Sequence, residues 1–221
     1  MKTLTKELRD AITPELGINL LKQGNKRFVD NLKMNRNLLQ QVNETSDGQH
    51  PFAFILSCID SRTSAELIFD QGLGDIFSCR IAGNILNEDI LGSMEFACKI
   101  AGSKVIAVIG HSKCGAISGA CDHVKLGNLT GLLKKIEPAV ENAKKVHASQ
   151  LNKELLTETV ARMNVKHVLQ EIVDRSPILL EMVSTGQIAI IGGMYDVFTG
   201  LVDFYEENTH LIKGEDKSLT A

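Results

Sequence analysis

One stretch near the middle of the chain, Lys104-Val105-Ile106-Ala107-Val108-Ile109, constrains the fold more than any other. It is unbroken, apolar and rich in β-branched residues, with Gly102 and Gly110 close to its ends. Such a run suits a strand buried on both faces, and strands of that kind belong to parallel sheets covered by helices on each side. Shorter apolar runs at 52–57, 76–81 and 187–191 read as further strands. A fifth strand over 198–205 follows a tight turn and is expected to run antiparallel. Helical patterns alternate with these strands. Residues 4–39 are mainly helical in pattern. Within them Thr13-Pro14-Glu15 is a start signal, Leu16, Leu20, Leu21 and Gly24 follow at helical spacing, and Phe28 and Leu32 extend the face. Residues 41–49 are polar and read as loop. Thr63-Ser64-Ala65-Glu66 has the capping-box pattern of a short helix, and Gly72-Leu73-Gly74-Asp75 reads as a turn. Helix is also expected over 88–101, from about Cys114, and through 129–183, where Ser176-Pro177 is another start signal. The alternation predicts an α/β fold: a mainly parallel central sheet of four strands plus an antiparallel edge strand, flanked by helices, with an N-terminal helical arm.

With 221 residues, 43% of them hydrophobic, the chain can bury one sizeable core. We expect a single domain over 1–221, with the arm at 1–40 and the α/β core at 50–205. The net charge of −3 and the sequence pI of about 6.1 give no reason to expect a nucleic-acid or membrane partner. There is no apolar run of about 18 residues or more that would cross a bilayer. The N-terminus lacks the apolar segment of a signal peptide, so a cytoplasmic location is expected. Five cysteines, at 58, 79, 98, 114 and 121, are an odd number in a chain of this size. A disulfide framework explains them poorly, and reduced thiols acting as core filler or as ligands explain them better.

In parallel α/β sheets, sites form beyond the carboxyl ends of the strands. Two segments fall there: Cys58-Ile59-Asp60-Ser61-Arg62 and His111-Ser112-Lys113-Cys114-Gly115. If their strands are neighbours, Cys58, His111 and Cys114 converge. Two thiolates and one imidazole suit Zn²⁺, and three protein ligands leave a fourth position open, which is the catalytic rather than the structural arrangement. Cys114 also falls at a helix N-terminus, where the dipole favours thiolate. Each piece alone is weak: a lone cysteine after a strand is more often core filler, and an Asp-x-Arg pair is more often a surface ion pair. All three at strand exits are much harder to explain by accident. Other motifs fail. The spacing from Gly110 to Gly115 is that of a phosphate loop, but Ala116 and Ile117 replace the required Lys and Ser/Thr. Gly72-Leu73-Gly74 precedes a strand, so it is no dinucleotide fingerprint. No Cys-x-x-Cys exists. Cys121-Asp122-His123 has no further partner and reads as helix surface and core, while Cys79 and Cys98 read as structural.

Further patterns accompany these two segments. They are Gly24-Asn25-x-Arg27-Phe28, Gly74-Asp75-x-Phe77-x-x-Arg80-x-Ala82-Gly83-Asn84, Glu95-Phe96-Ala97 and Tyr195-Asp196-x-x-Thr199-Gly200. On these residues, from about 16 to 204, the chain resembles the β-class carbonic anhydrases. The resemblance implies reversible hydration of CO₂ to bicarbonate and a proton, with one Zn²⁺ per chain held by Cys58, His111 and Cys114. Zinc lowers the pKa of bound water towards ~7. The resulting hydroxide would attack CO₂, with Asp60 accepting its hydrogen bond and Arg62 holding Asp60 by a charge-assisted pair. Gln49 matches an amide that donates to substrate. Phe77, Ala82 and Phe96 match an apolar CO₂ pocket, although core packing explains these three as naturally, and Gly115 belongs to the same substrate-binding set. Phe96 stands where plant-like members commonly carry Tyr.

Members that close their site move the aspartate onto zinc. They often need a Trp three residues before the first cysteine and a Gly just before it. Here those positions are Ile55 and Ser57, and the chain has no Trp. The open type is expected, with Asp60 a fourth ligand only in a closed form. The resemblance also implies a homodimer whose N-terminal helices embrace the partner, with tetramers or larger assemblies of dimers as extensions. The small-molecule partners are CO₂, bicarbonate and water. Two alternatives keep the metal: hydrolysis of carbonyl sulfide or carbon disulfide on the same fold, and a non-catalytic zinc protein with a closed four-ligand site.

Overall fold

A computed structural model describes residues 3–147 and 152–205. Its five strands are β1 (Ala53–Ser57), β2 (Ile76–Arg80), β3 (Val105–His111), β4 (Ala189–Tyr195) and β5 (Val202–Phe204). They form one sheet in the order β2-β1-β3-β4-β5. The first four are parallel and β5 is antiparallel to β4, as the alternation of strand and helix patterns predicts. Every residue of β1, β3 and β4 is buried, which is why their sequences are continuous apolar runs rather than alternating ones. The edge strand β2 alternates towards solvent instead.

The register decides where the chain exits. Ser57 of β1 lies level with Ile109 of β3 and with Arg80 of β2. Residues that follow these positions therefore meet at one end of the sheet.

Each face of the sheet has its own core. One is covered by the helices Glu88–Glu95, Gly115–Cys121, Glu137–His147, Lys153–Arg175 and Pro177–Ser184, and contains Leu56, Ile106, Val108, Val165 and Leu169. The other is covered by the helices Pro14–Val29 and Ala65–Ile68, and contains Ile18, Leu21, Ile55, Ala107 and Ile191. Burying one such aliphatic side chain is worth roughly 1.5–3 kcal/mol.

Glycines set how closely the helices approach. A Cβ on Gly110 would stand 2.7 Å from Val165 Cγ2, and one on Gly192 would stand 2.8 Å from Leu169 Cδ1. The long helix Lys153–Arg175 is thus seated almost on the backbone of β3 and β4. On the opposite face, a Cβ on Gly24 would lie 1.8 Å from the Phe69 carbonyl oxygen. Asn25 beside it is buried and ties three backbones together. Its amide donates to the Ile68 and Gly200 carbonyls at 3.2 and 2.9 Å and accepts from Val202 N–H at 2.8 Å.

Several expectations need correction. The first helical face ends earlier than the spacing suggests. The helix stops at Val29, Asn31 takes a left-handed φ of 55°, and Leu16 and Leu32 are exposed. Residues 41–44, expected as loop, belong instead to the helix Leu38–Glu44, which the Asn37 side chain caps by accepting from Gln40 N–H at 3.0 Å. Gln41 is buried on that helix and accepts from Leu73 N–H. The helix expected over 88–101 changes to a π-helical turn at Phe96–Ile100. Of the expected helical region 129–183, residues 148–151 lie outside the described residues, as do 1–2 and 206–221 of the expected unit.

Gly24→Ala should be among the most damaging single-methyl changes in the protein, because the methyl meets backbone that cannot swing away. We expect a loss of about 3 kcal/mol or more, read as a lowered urea midpoint with an unchanged slope.

Candidate metal centre

Cys58 is the first residue after β1 and His111 is the last of β3. From His111 the chain must reverse to return Cys114 to the same place. Lys113 does this in a left-handed conformation, φ 56°. Ser112 N–H donates to the Tyr195 carbonyl at 2.9 Å and the Ser112 hydroxyl accepts from Val197 N–H at 3.0 Å, which fastens the reversal to the end of β4. Cys114 then caps the helix Gly115–Cys121.

The outcome is a buried cluster. The ligand atoms of Cys58, His111 and Cys114 lie within 4.8 Å of one another, and among the described residues no other group of three or more His, Cys, Asp or Glu converges in this way. The two sulfurs are 4.0 Å apart. His111 Nδ1 is 2.9 Å from the Ser112 carbonyl oxygen. A carbonyl can only accept, so Nδ1 carries the proton and Nε2 is left with a bare lone pair. That Nε2 is buried and has no hydrogen-bond partner among the described residues. Ionisation of either thiol opposes ionisation of the other. The Cys114 thiol, with smaller contributions from the His111 side chain and then the Gly83 N–H, brings Cys58 down to about 4 against the effect of burial. Cys114 is pushed far up by its hydrogen bond to the Cys58 sulfur, by burial and by the charge on Cys58. The helix N–H groups of Ile117 and Ala116 pull Cys114 the other way, in the direction expected at a helix N-terminus. A divalent cation would remove this repulsion and occupy the imidazole lone pair. Two sulfurs and one nitrogen make a donor set that could hold zinc.

Asp60 and Arg62 stand at the mouth. Asp60 Oδ1 accepts from Arg62 N–H at 3.0 Å and from Nε at 2.9 Å, while Oδ2 accepts from Nη2 at 2.8 Å. This two-pronged contact with Arg62 holds the Asp60 carboxyl well below the usual carboxylate range, although burial opposes it. The loop beneath is fixed through its carbonyls. The Thr63 hydroxyl reaches the Cys58 and Asp60 oxygens at 3.0 and 2.9 Å. Arg80 Nε donates to the Cys58 carbonyl at 3.0 Å and Nη2 donates to that of Asp60. The capping box expected of Thr63 and Glu66 therefore does not form. Ser64 is the capping position, without a side-chain cap bond, and the Thr63 hydroxyl serves the loop instead. Thr63 directly follows the Cys58–Arg62 segment, which was a signal for its role in that loop, whereas Gly83 lies more than twenty residues from any candidate ligand in the sequence and carries no local signal of its contact with Cys58.

The other expected residues are dispersed. Gly115 is exposed, and with Ser112, Lys113, Cys114 and Phe198 it lines an open cleft of about 980 Å³. Ala82 is half-buried and opens the 3₁₀ turn Ala82–Asn84. Gly83 N–H in that turn points to Cys58 Sγ at 3.4 Å. Phe77 and Phe96 meet edge to face at 6.3 Å on the β2 side of the sheet, and Phe96 is more than half exposed. Gln49 is exposed beside Gly74, at the amino end of β1, a strand's length from Cys58. Within one chain it does not join the cluster. Cys98 is core, its thiol pushed up to about 12 by burial, and Cys79 is partly buried against the same core.

A parallel sheet that delivers two cysteines and a histidine to one end, with an aspartate–arginine pair above them, defines a class. The family model for carbonic anhydrase matches residues 53–202. Carbonic anhydrase 2 of Mycobacterium tuberculosis H37Rv is 32% identical over 188 residues, covering 81% of this chain and 87% of that one. The carbonic anhydrase of Mycolicibacterium smegmatis is 30% identical over 192 residues, 83% of this chain and 89% of that one. Among solved structures, the β-carbonic anhydrase CcaA superposes with a TM-score of 0.70 at 28% identity, covering 86% of this chain and 95% of that one. CafA of Aspergillus fumigatus gives 0.69 at 26% identity, covering 76% and 81%. The chain belongs to the β-class carbonic anhydrase family and is a carbonic anhydrase enzyme.

Thr63→Val keeps the shape of the side chain and removes its hydroxyl. We expect a loss of about 1–2 kcal/mol, measured by urea unfolding of metal-free protein so that the metal's contribution does not mask it.

Proposed function

We propose that Cys58, His111 and Cys114 hold one zinc ion and that the enzyme interconverts CO₂ and bicarbonate there, with Asp60 and Arg62 as its catalytic pair. The observation that carries this reading is the bare Nε2 of His111 facing two buried sulfurs within 4.8 Å. When bound, zinc supplies a Lewis acid that makes water a strong nucleophile near neutral pH.

The roles of the chain's own residues follow from their hydrogen bonds. An ionised carboxylate only accepts, and it has about four lone-pair positions. Arg62 takes three of those on Asp60. One remains, on Oδ2, for a group that comes to the site. A group can dock there only by donating a proton, so an attacking water or hydroxyl is turned with its hydrogen on Asp60 and its lone pair outward. The pair with Arg62 keeps Asp60 charged at any working pH and holds it off a cation in the open form. Phe77, Ala82 and Phe96 offer apolar surface, which suits a substrate with little to hydrogen-bond. Gly115 presents backbone on the cleft side. Gln49 can serve the substrate only if a partner protomer brings it, because its own chain holds it at the far end of β1.

The minimum unit in this reading is a homodimer, with tetramers as pairs of dimers. Large apolar residues exposed along the first 45 residues, such as Leu8, Leu32, Leu38 and Leu39, and around the sheet edge, such as Ile59, Phe96 and Ile100, support it. Two β-carbonic anhydrases of Sordaria macrospora with this fold are described as tetrameric. Among the described residues no helix is long and apolar enough to cross a membrane. All five cysteines are free, which suits a reducing, cytoplasmic setting.

Stopped-flow CO₂ hydration at mildly alkaline pH should give a rate proportional to zinc content, and faster than turnover of carbonyl sulfide. Cys58→Ala should lose zinc and activity together. Asp60→Asn should keep its zinc and lower kcat by about 100-fold; full activity in that variant would remove Asp60 from the mechanism. No hydration by fully zinc-loaded protein would turn the reading to carbonyl sulfide or to a closed, non-catalytic site. Sedimentation at micromolar protein should show a dimer or a multiple of it, and a stable monomer would contradict the assembly.

A further inference from the structure

We infer that Asn164 is a positioning residue of the metal centre: by holding the Gly83 carbonyl it sets the turn that aims the Gly83 N–H at the Cys58 sulfur. The inference rests on the metal-site reading above and extends it to a residue that touches neither metal nor substrate.

Asn164 lies on the 23-residue helix Lys153–Arg175 and is completely buried. Its Nδ2 donates to the Gly83 carbonyl at 2.9 Å, across 81 residues of chain. The N–H of the same Gly83 donates to Cys58 Sγ at 3.4 Å. One residue is thus gripped on its carbonyl side by the helix while it presents its amide to the candidate ligand.

The turn needs an outside grip. Gly83 is left-handed, with φ 68° and ψ 19°, and Asn84 follows at φ 42°. Two successive positive-φ residues form a sparsely populated backbone state, which persists only when its surroundings fix it. Gly83 also has no side chain with which to anchor itself. It cannot acquire one, because a Cβ there would meet Ile136 Cδ1 at 2.8 Å and Ala116 Cβ at 3.3 Å. The surroundings therefore fix it through its carbonyl. The height of the grip is set by the helix seat next to it, since Val165, the next residue, rests on Gly110.

A purely packing role explains the residue less well. A leucine would fill such a site without burying an amide, and Asn164 Oδ1 has no hydrogen-bond partner among the described residues. The position accepts a half-satisfied polar group and in return secures one donor bond, to Gly83. An N–H directed at a thiolate lowers its basicity and orients its lone pairs. Contacts of this outer kind tune metal affinity and activity by 10–100-fold.

The test compares cobalt-loaded and zinc-loaded wild-type protein with Asn164→Leu, which keeps bulk and removes the donor. Leu169→Ala is the control, because it loosens the same helix and leaves the Gly83 contact in place. Asn164→Leu should shift the thiolate-to-cobalt charge-transfer band and weaken zinc binding about 10–100-fold in competition with a chelator, while Leu169→Ala lowers only stability. Asn164→Ala repeats the measurement where the leucine variant does not fold. An unchanged band and affinity, or equal changes in Leu169→Ala, would overturn the inference and leave the metal site standing. A wild-type protein with no thiolate–cobalt band would overturn the metal-site reading and this inference with it.

Discussion

The alignment of β1 with β3 is the constraint on which the site depends. Ser57 and Ile109 are level, so the residue after one and the second residue after the other leave the sheet side by side. Side chains alternate between faces along a strand, so a slip of one residue would shift Cys58 by about 3.3 Å relative to His111 and turn every buried side chain of its strand towards the wrong core. What prevents the slip is the core itself. Both strands are buried along their whole length, and shifting either would move a full set of aliphatic side chains out of register with the helices on both faces. The geometry of the metal centre is therefore held by hydrophobic packing far larger in free energy than any contact within the centre.

Charge supplies the second constraint. Two cysteine sulfurs 4.0 Å apart in a buried position form a cluster in which the charge on one thiol raises the cost of charging the other, so a cation would suit it. The Asp60–Arg62 pair lies outside this cluster and has a different character. Arg62 is about half exposed, and an ion pair so placed contributes little to stability. Its consequence is orientation: three of the four acceptor positions of Asp60 are occupied, so the remaining one has a fixed direction.

Much of this was legible in the sequence, for identifiable reasons. The parallel sheet showed itself because strands buried on both faces must be continuous apolar runs, as at 104–109. The convergence of Cys58, His111 and Cys114 showed itself because Cys58 and the His111–Cys114 pair stand where parallel strands end. Other features stayed hidden because they depend on long-range contacts. Asn37 and Gln41 look like loop residues, yet one caps a helix and the other meets Leu73 across the chain. Thr63 reads as a capping residue from its spacing to Glu66. The turn of the loop itself brings its hydroxyl to the Cys58 and Asp60 carbonyls, five and three residues back, and the capping pattern loses. The separation of Gln49 from Cys58 was equally invisible, because a spacing of nine residues says nothing about distance until β1 is known to lie extended between them.

The carbonyl contacts explain how a site at the tip of a sheet can be rigid. Loops at strand ends are ordinarily the mobile parts of an α/β fold. Here the loop after β1 is held on its oxygen side by Thr63 and Arg80, the loop after β3 by Ser112 and Val197, and the turn after β2 by Asn164. Each clamp comes from a different element: the edge strand, the end of β4, the long helix. None needs to be strong, because each has only to choose one conformation among the few that a short loop allows. A site whose ligands must stay within a fraction of an ångström of their places is better served by several weak clamps from independent elements than by one strong bond. Loss of any one then shifts the ligand field without dispersing it.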